Sequence, residues 1–67
     1  MLLSQYVKES PEGQYRAEIY DSPDGYHIEY YGPTGVRFKT EEFHGKSIHH
    51  VTDAAENWVS GIKTLNG

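Results

Sequence analysis

The sequence predicts an α+β fold: a three-stranded antiparallel β-meander with one C-terminal α-helix packed on one face, in the order β-β-β-α. Three observations carry that expectation. Residues 15–41 hold three runs in which apolar and polar side chains alternate, and two connections of x-Pro-x-Gly form separate the runs. The last third then changes to an apolar spacing of three and four residues. A sheet with one apolar face and a helix with one apolar stripe each bury what the other leaves exposed.

Residues 1–14 are expected to form an N-terminal arm or a short strand, with residues 15–67 as a single β-β-β-α domain. Leu2, Leu3, Tyr6 and Val7 supply a few anchoring side chains, and Glu9-Ser10-Pro11-Glu12-Gly13 interrupts any regular element. The three runs come next. Tyr15, Ala17 and Ile19 alternate with Arg16, Glu18 and Tyr20; Tyr26, Ile28 and Tyr30 alternate with His27, Glu29 and Tyr31. Val36, Phe38 and Thr40 alternate with Arg37, Lys39 and Glu41. A period of two marks strands with one buried face.

The connections are Ser22-Pro23-Asp24-Gly25 and Gly32-Pro33-Thr34-Gly35. Proline presets the first central residue of a type I turn, and the following glycine takes the left-handed conformation of a bulged hairpin. In the second hairpin this geometry sets Tyr30 opposite Phe38, both apolar. In the first it would set Tyr20 opposite Ile28 and turn Ile19 outward, against the alternation. We follow the alternation, which requires a different loop register or a bulge in the first strand.

Phe43 is expected to turn back and cap the core edge. Ser47 is a good N-cap for a helix running from Ile48 to about Leu65, with Asn66-Gly67 as its stop. Ile48, Val51, Ala55, Trp58, Ile62 and Leu65 form the stripe, widened by Val59. Gly61 lies inside it, a position that implies close approach of helix and sheet or a local kink. The expected core sets Tyr15, Ala17, Ile19, Tyr26, Ile28, Tyr30, Val36 and Phe38 against that stripe.

With 67 residues there is room for one core, and with no cysteine there is no disulfide to reinforce it. Six tyrosines, two phenylalanines and one tryptophan offset this with large buried areas. The net charge of −4 argues against nucleic acid as the main partner. No apolar run reaches the length of a membrane span, and Met1-Leu2-Leu3 passes directly to Ser4-Gln5 without a signal-peptide core. We therefore expect a cytoplasmic protein, without membrane contact, that is a monomer or weak homodimer.

Candidate chemistry is sparse. His49 and His50 are adjacent and diverge on a helix, and His44 with His49 lacks a third ligand, so no metal and no cofactor is expected. Glu41 with Glu42 and Asp53 with Glu56 are solvated pairs rather than the differently buried carboxyls of acid–base catalysis. No nucleophile elbow, phosphate loop or dinucleotide fingerprint is present, and we expect no enzyme. The outer sheet face holds more. Alternation places Arg16, Glu18, Tyr20, His27, Glu29, Tyr31, Arg37, Lys39 and Glu41 on it. Tyr20, Tyr31 and Arg37 are the candidate partner-binding residues, because aromatic area and a planar cation dominate binding hot spots. The competing interpretation is a solvated face held by cross-strand ion pairs such as Arg16 with Glu29.

Thr40-Glu41-Glu42-Phe43, followed by Asp53-Ala54-Ala55-Glu56-Asn57-Trp58-Val59-Ser60-Gly61-Ile62, resembles small uncharacterised accessory proteins of T4-like marine cyanophages. The resemblance covers about the last 25 residues. It implies a phage accessory protein at work in the cytoplasm of the infected host, and it assigns no catalytic or binding residue. The functional expectation is a non-enzymatic module that binds a protein partner of unknown identity, modulating a host or viral assembly. The alternatives are a self-associating structural subunit and a weak single-stranded nucleic-acid binder, the latter opposed by Glu18, Glu29 and Glu41 among its cations.

Overall fold

A computed structural model describes residues 1–61 of the chain. The strands β1 (Leu2–Ser10), β2 (Gly13–Ser22), β3 (Gly25–Tyr31) and β4 (Arg37–His44) precede one helix, α1 (Ile48–Gly61). They form one antiparallel sheet in the order β1-β2-β3-β4. The α+β class holds, with four strands instead of three. The added strand is β1, and the expected boundary after residue 14 falls inside β2. β1 escapes a period-two search because its helix-side residues Ser4, Tyr6 and Lys8 include only one large ring, while Leu2 and Val7 face outward. A shift in pairing between Leu2 and Ser4 disturbs the alternation further.

The first two hairpins share one turn chemistry and the third has another. Ser10 pairs with Gly13 and Ser22 with Gly25, so Pro11-Glu12 and Pro23-Asp24 are two-residue loops. The first of the predicted hairpins thus takes a different loop register and keeps its alternation, with Ile19 opposite Ile28 and both fully buried. At Gly25 φ is +152°, and a Cβ there would overlap the Phe43 carbonyl oxygen, so only glycine fits. The third loop follows the expected design. Gly35 N–H donates to Gly32 O at 3.0 Å, Gly32 N–H donates to Val36 O at 3.1 Å, and Gly35 has φ +85°.

One residue further on, the pattern slips. Tyr31 pairs with Arg37 as the turn dictates, but Tyr30 pairs with Lys39, leaving Phe38 as a bulge. Without the slip Phe43 would face solvent; with it, Phe43 pairs with Tyr26 and is buried. Phe43 is therefore a strand residue of the core and not a cap beyond the strand. The expected core loses two members: Val36 is 64% and Phe38 57% exposed.

The buried cluster is Ala17, Ile19, Ile28, Tyr30 and Phe43 beneath Val51, Ala55 and Val59, with Tyr6, Tyr26, Ile48, Ala54 and Trp58 packed around it. The helix lies chiefly over β2, with β1 and β3 on either side. β4 reaches it through aromatic contacts, Phe43 with His50 at 5.8 Å and Phe38 with Trp58 at 5.9 Å between ring centres. Ser47 caps the helix as expected, its Oγ accepting from His50 N–H at 3.3 Å. Gly61 does not mark a close approach, since a Cβ there meets nothing within 4 Å among the described residues. Ile62, Leu65 and the Asn66-Gly67 stop lie outside the described residues. No described helix is long and apolar enough to cross a membrane.

Candidate functional site

The sheet face away from the helix is built in rows across the strands. Arg16, Tyr31 and Arg37 form one row, Glu18, Glu29 and Thr40 the next, and Tyr20, His27 and Glu42 a third. The alternation of β2 and β3 produces these rows, and all three candidate residues, Tyr20, Tyr31 and Arg37, lie on this face. Lys39 and Glu41 do not. The Phe38 bulge turns them to the helix side, where Glu41 accepts from the Tyr30 hydroxyl at 2.7 Å and Lys39 Nζ lies 5.4 Å from the Tyr30 ring centre.

Glu18 and Glu29 oppose each other at the middle of the face, with side chains only 12% and 18% exposed. Two carboxylates in cross-strand positions repel, so each needs its own donors. Glu18 accepts from Arg16 Nε at 2.6 Å and from the Tyr20 hydroxyl at 2.7 Å. Glu29 accepts from the Tyr31 hydroxyl at 2.8 Å, lies 3.2 Å from His27 Nε2, and has Arg37 at 3.7 Å. The expected Arg16–Glu29 pair is replaced by Arg16 with Glu18, two residues along the same strand.

These bonds set the electrostatics. Donation to Glu18 pushes the Tyr20 hydroxyl up to about 12, and donation to Glu29 raises Tyr31 likewise. The Tyr31 hydrogen bond, then His27 and Arg37, hold the Glu29 carboxyl below its ordinary value against the opposing effect of burial. The rings are fixed as well. Tyr20 stacks on His27 at 5.1 Å with 9° between planes, and the Arg16 guanidinium sits 4.2 Å from the Tyr31 ring centre. Arg37 is held least: its side chain is 55% exposed and its one carboxylate contact is long.

Sequence reasoning missed a second constellation here. Ser22 Oγ lies 2.7 Å from His27 Nδ1, and His27 Nε2 lies 3.2 Å from Glu29. One neutral tautomer satisfies both, with Nδ1 accepting from the serine hydroxyl and Nε2–H donating to the carboxylate. The order is that of a serine–histidine–carboxylate relay, readable from the even spacing of His27 and Glu29 beside the turn. Nucleophilic catalysis also needs a walled site with oxyanion donors, and no pocket is present among the described residues. The remaining three histidines are scattered: His44 is exposed beside Glu42, His49 is exposed on the helix, and His50 packs against Phe43. No group of three or more candidate metal ligands converges among the described residues.

Among the described residues, fold and face together define a small α+β module whose sheet is closed by a helix on one side and open on the other. The chain matches no family model and has no significant match among curated proteins or solved structures.

Proposed function

We propose that this chain is a non-enzymatic protein-binding module whose open sheet face captures its partner through Tyr20, Tyr31 and Arg37. The supporting observation is preorganisation. Two aromatic rings are immobilised by hydroxyl bonds to Glu18 and Glu29 and by stacking on cationic or imidazole neighbours. A partner meeting rigid rings loses less side-chain entropy than one meeting free rings. Arg37, on the same face and weakly engaged, supplies a planar cation free to exchange its long contact for a carboxylate of the partner. Glu18 and Glu29 at the centre of the face would repel a nucleic-acid backbone, and this supports a protein partner over single-stranded nucleic acid. A cyanophage accessory role, in which the partner belongs to a host or viral assembly, is the biological setting we propose on the C-terminal resemblance.

The test is capture from the native cell by the tagged chain, compared with a Tyr20→Ser, Tyr31→Ser, Arg37→Ser variant. The variant should lose the captured protein while keeping the circular dichroism of the parent, because none of the three side chains belongs to the core. Capture that survives this variant but is lost on Asp53→Lys, Glu56→Lys would move recognition to the helix.

A further inference from the structure

We propose that β1 also pairs with β1 of a second copy of this chain, antiparallel about a two-fold axis at Gln5, fusing two four-stranded sheets into one. This goes beyond the open-face reading and does not depend on it, since it uses the sheet's edge.

β1 and β4 are the two edges. β4 is blunted against pairing by a bulge and by Arg37, Lys39, Glu41, Glu42 and His44 within its eight residues. β1 carries one shift in pairing, between Leu2 and Ser4 at its far end, but no comparable run of charges. Over nine residues its only charges are Lys8 and Glu9, both at one end, and Leu2, Leu3 and Val7 stand 46%, 39% and 46% exposed. On a chain with net charge −4, this strand is a neutral strip at which two copies meet without repulsion.

The backbone sets the rest. The two-residue loop joining Ser10 to Gly13 makes theirs a hydrogen-bonded pair, so the backbone groups of Ser10, Lys8 and Tyr6 face β2. Those of Glu9, Val7 and Gln5 then face the open edge, and the side chains of these three point to the outer face. A two-fold axis at Gln5 makes a hydrogen-bonded pair of the two Gln5 residues. It sets Val7 against Leu3 of the second copy on the outer face and Tyr6 against Ser4 on the helix face. Lys8 lies on the helix face beside the Leu2 end of the second copy, whose Leu2 is turned outward by the shift in pairing, so no like charges oppose. Moving the axis to Tyr6 sets Val7 against Gln5 and Leu3 against Glu9; moving it to Val7 leaves Leu2 and Leu3 uncovered. Of these three registers, that at Gln5 alone sets Val7 on Leu3 at both symmetric positions.

The native chain has no cysteine, so single cysteines report the register directly. Hydrogen-bonded antiparallel partners have Cα atoms about 5.5 Å apart, within disulfide range, whereas two Val7 residues would be about 14 Å apart at four residues of offset. In a glutathione redox buffer, Gln5→Cys should become a covalent dimer and Val7→Cys should stay largely monomeric. By light scattering the native chain should rise from 7.6 kDa toward twice that mass with concentration. Gln5→Pro should remain monomeric with native circular dichroism, since the amide it removes faces away from β2. Val7→Lys, at an exposed position, should do the same by setting a charge against Leu3. Equal cross-linking of both cysteine variants, a native chain monomeric at millimolar concentration, or a folded Gln5→Pro or Val7→Lys variant that still dimerises would each overturn the proposal. Partner capture by Tyr20, Tyr31 and Arg37 should persist in Gln5→Pro, which separates this result from the fate of the recognition face.

Discussion

Ile28→Ala should remove much of the stability of this domain, and the structure fixes how much. Ile28 is fully buried, paired with fully buried Ile19, in the cluster that includes Val51 and Ala55 of the helix. The change deletes three carbons, worth about 2.4 kcal/mol at ~0.8 kcal/mol for each buried methylene equivalent. Incomplete collapse of the space left behind adds up to about 1–2 kcal/mol. A domain of this length holds roughly 3–10 kcal/mol in total. A loss of about 2.5–4 kcal/mol should therefore lower Tm by about 10–30 °C. Val36→Ala makes a similar apolar deletion at a residue that alternation would also bury, yet Val36 is mostly exposed and should lose less than about 0.5 kcal/mol. Urea denaturation of both variants supplies the comparison. Equal losses would refute the argument, because they would put Val36 in the core.

Two glycines should respond with opposite signs. Gly25→Ala forces a side chain into the Phe43 carbonyl at positive φ and should destabilise by about 1–3 kcal/mol, whereas Gly61→Ala meets open space among the described residues and should stabilise by up to about 1 kcal/mol. Denaturant midpoints of the two variants check both signs. The phenolate absorbance of Tyr20 should appear near pH 12, and Glu18→Gln should return it toward 10. Because its folded value is raised, the stabilisation from Tyr20 is fully present below pH 10 and lost as pH climbs through about 12. Glu29 has the reverse sign: its folded value is lowered, so its stabilisation is present above the ordinary carboxylate value of 4.5 and lost as pH falls through the folded one. Thermal melts of Tyr20→Phe and Glu29→Gln across pH should show each dependence flattened at its own end.

The elements legible in the sequence are those whose burial is one-sided and regular. β2 and β3 bury every second residue, and the helix buries Val51, Ala55 and Val59, so periodicity finds them. β1 fails that test because an edge strand buries little on either face. Its turn was nevertheless readable, since Ser10-Pro11-Glu12-Gly13 repeats Ser22-Pro23-Asp24-Gly25 with one acid exchanged for another. The slip in β4 was also encoded: Phe38 and Phe43 are five apart, so no unbroken strand turns both inward. Tyr20, Tyr31 and Arg37 lie where alternation predicts because all three precede the slip. The roles of Glu18 and Glu29 were hidden, as their donors come mainly from two residues along the same strand, a pairing that a cross-strand search does not examine.

The uneven cover of the sheet decides the order in which the molecule opens. The helix guards β2 and its two neighbours, whereas β4 is secured by the β3 ladder and by the rings of Phe38 and Phe43. Its amides belong at the weak end of the local-unfolding scale, exchanging with solvent through excursions that leave the Ile19–Ile28 layer shut. Arg37 rides on that outermost strand, and Tyr20 and Tyr31 do not. A ligand that grips all three therefore ties a thinly covered edge strand to the two best-buried strands, and part of its binding energy is spent in suppressing the fraying of β4. Occupancy would then be visible as slowed amide exchange along a strand of which the ligand touches a single residue.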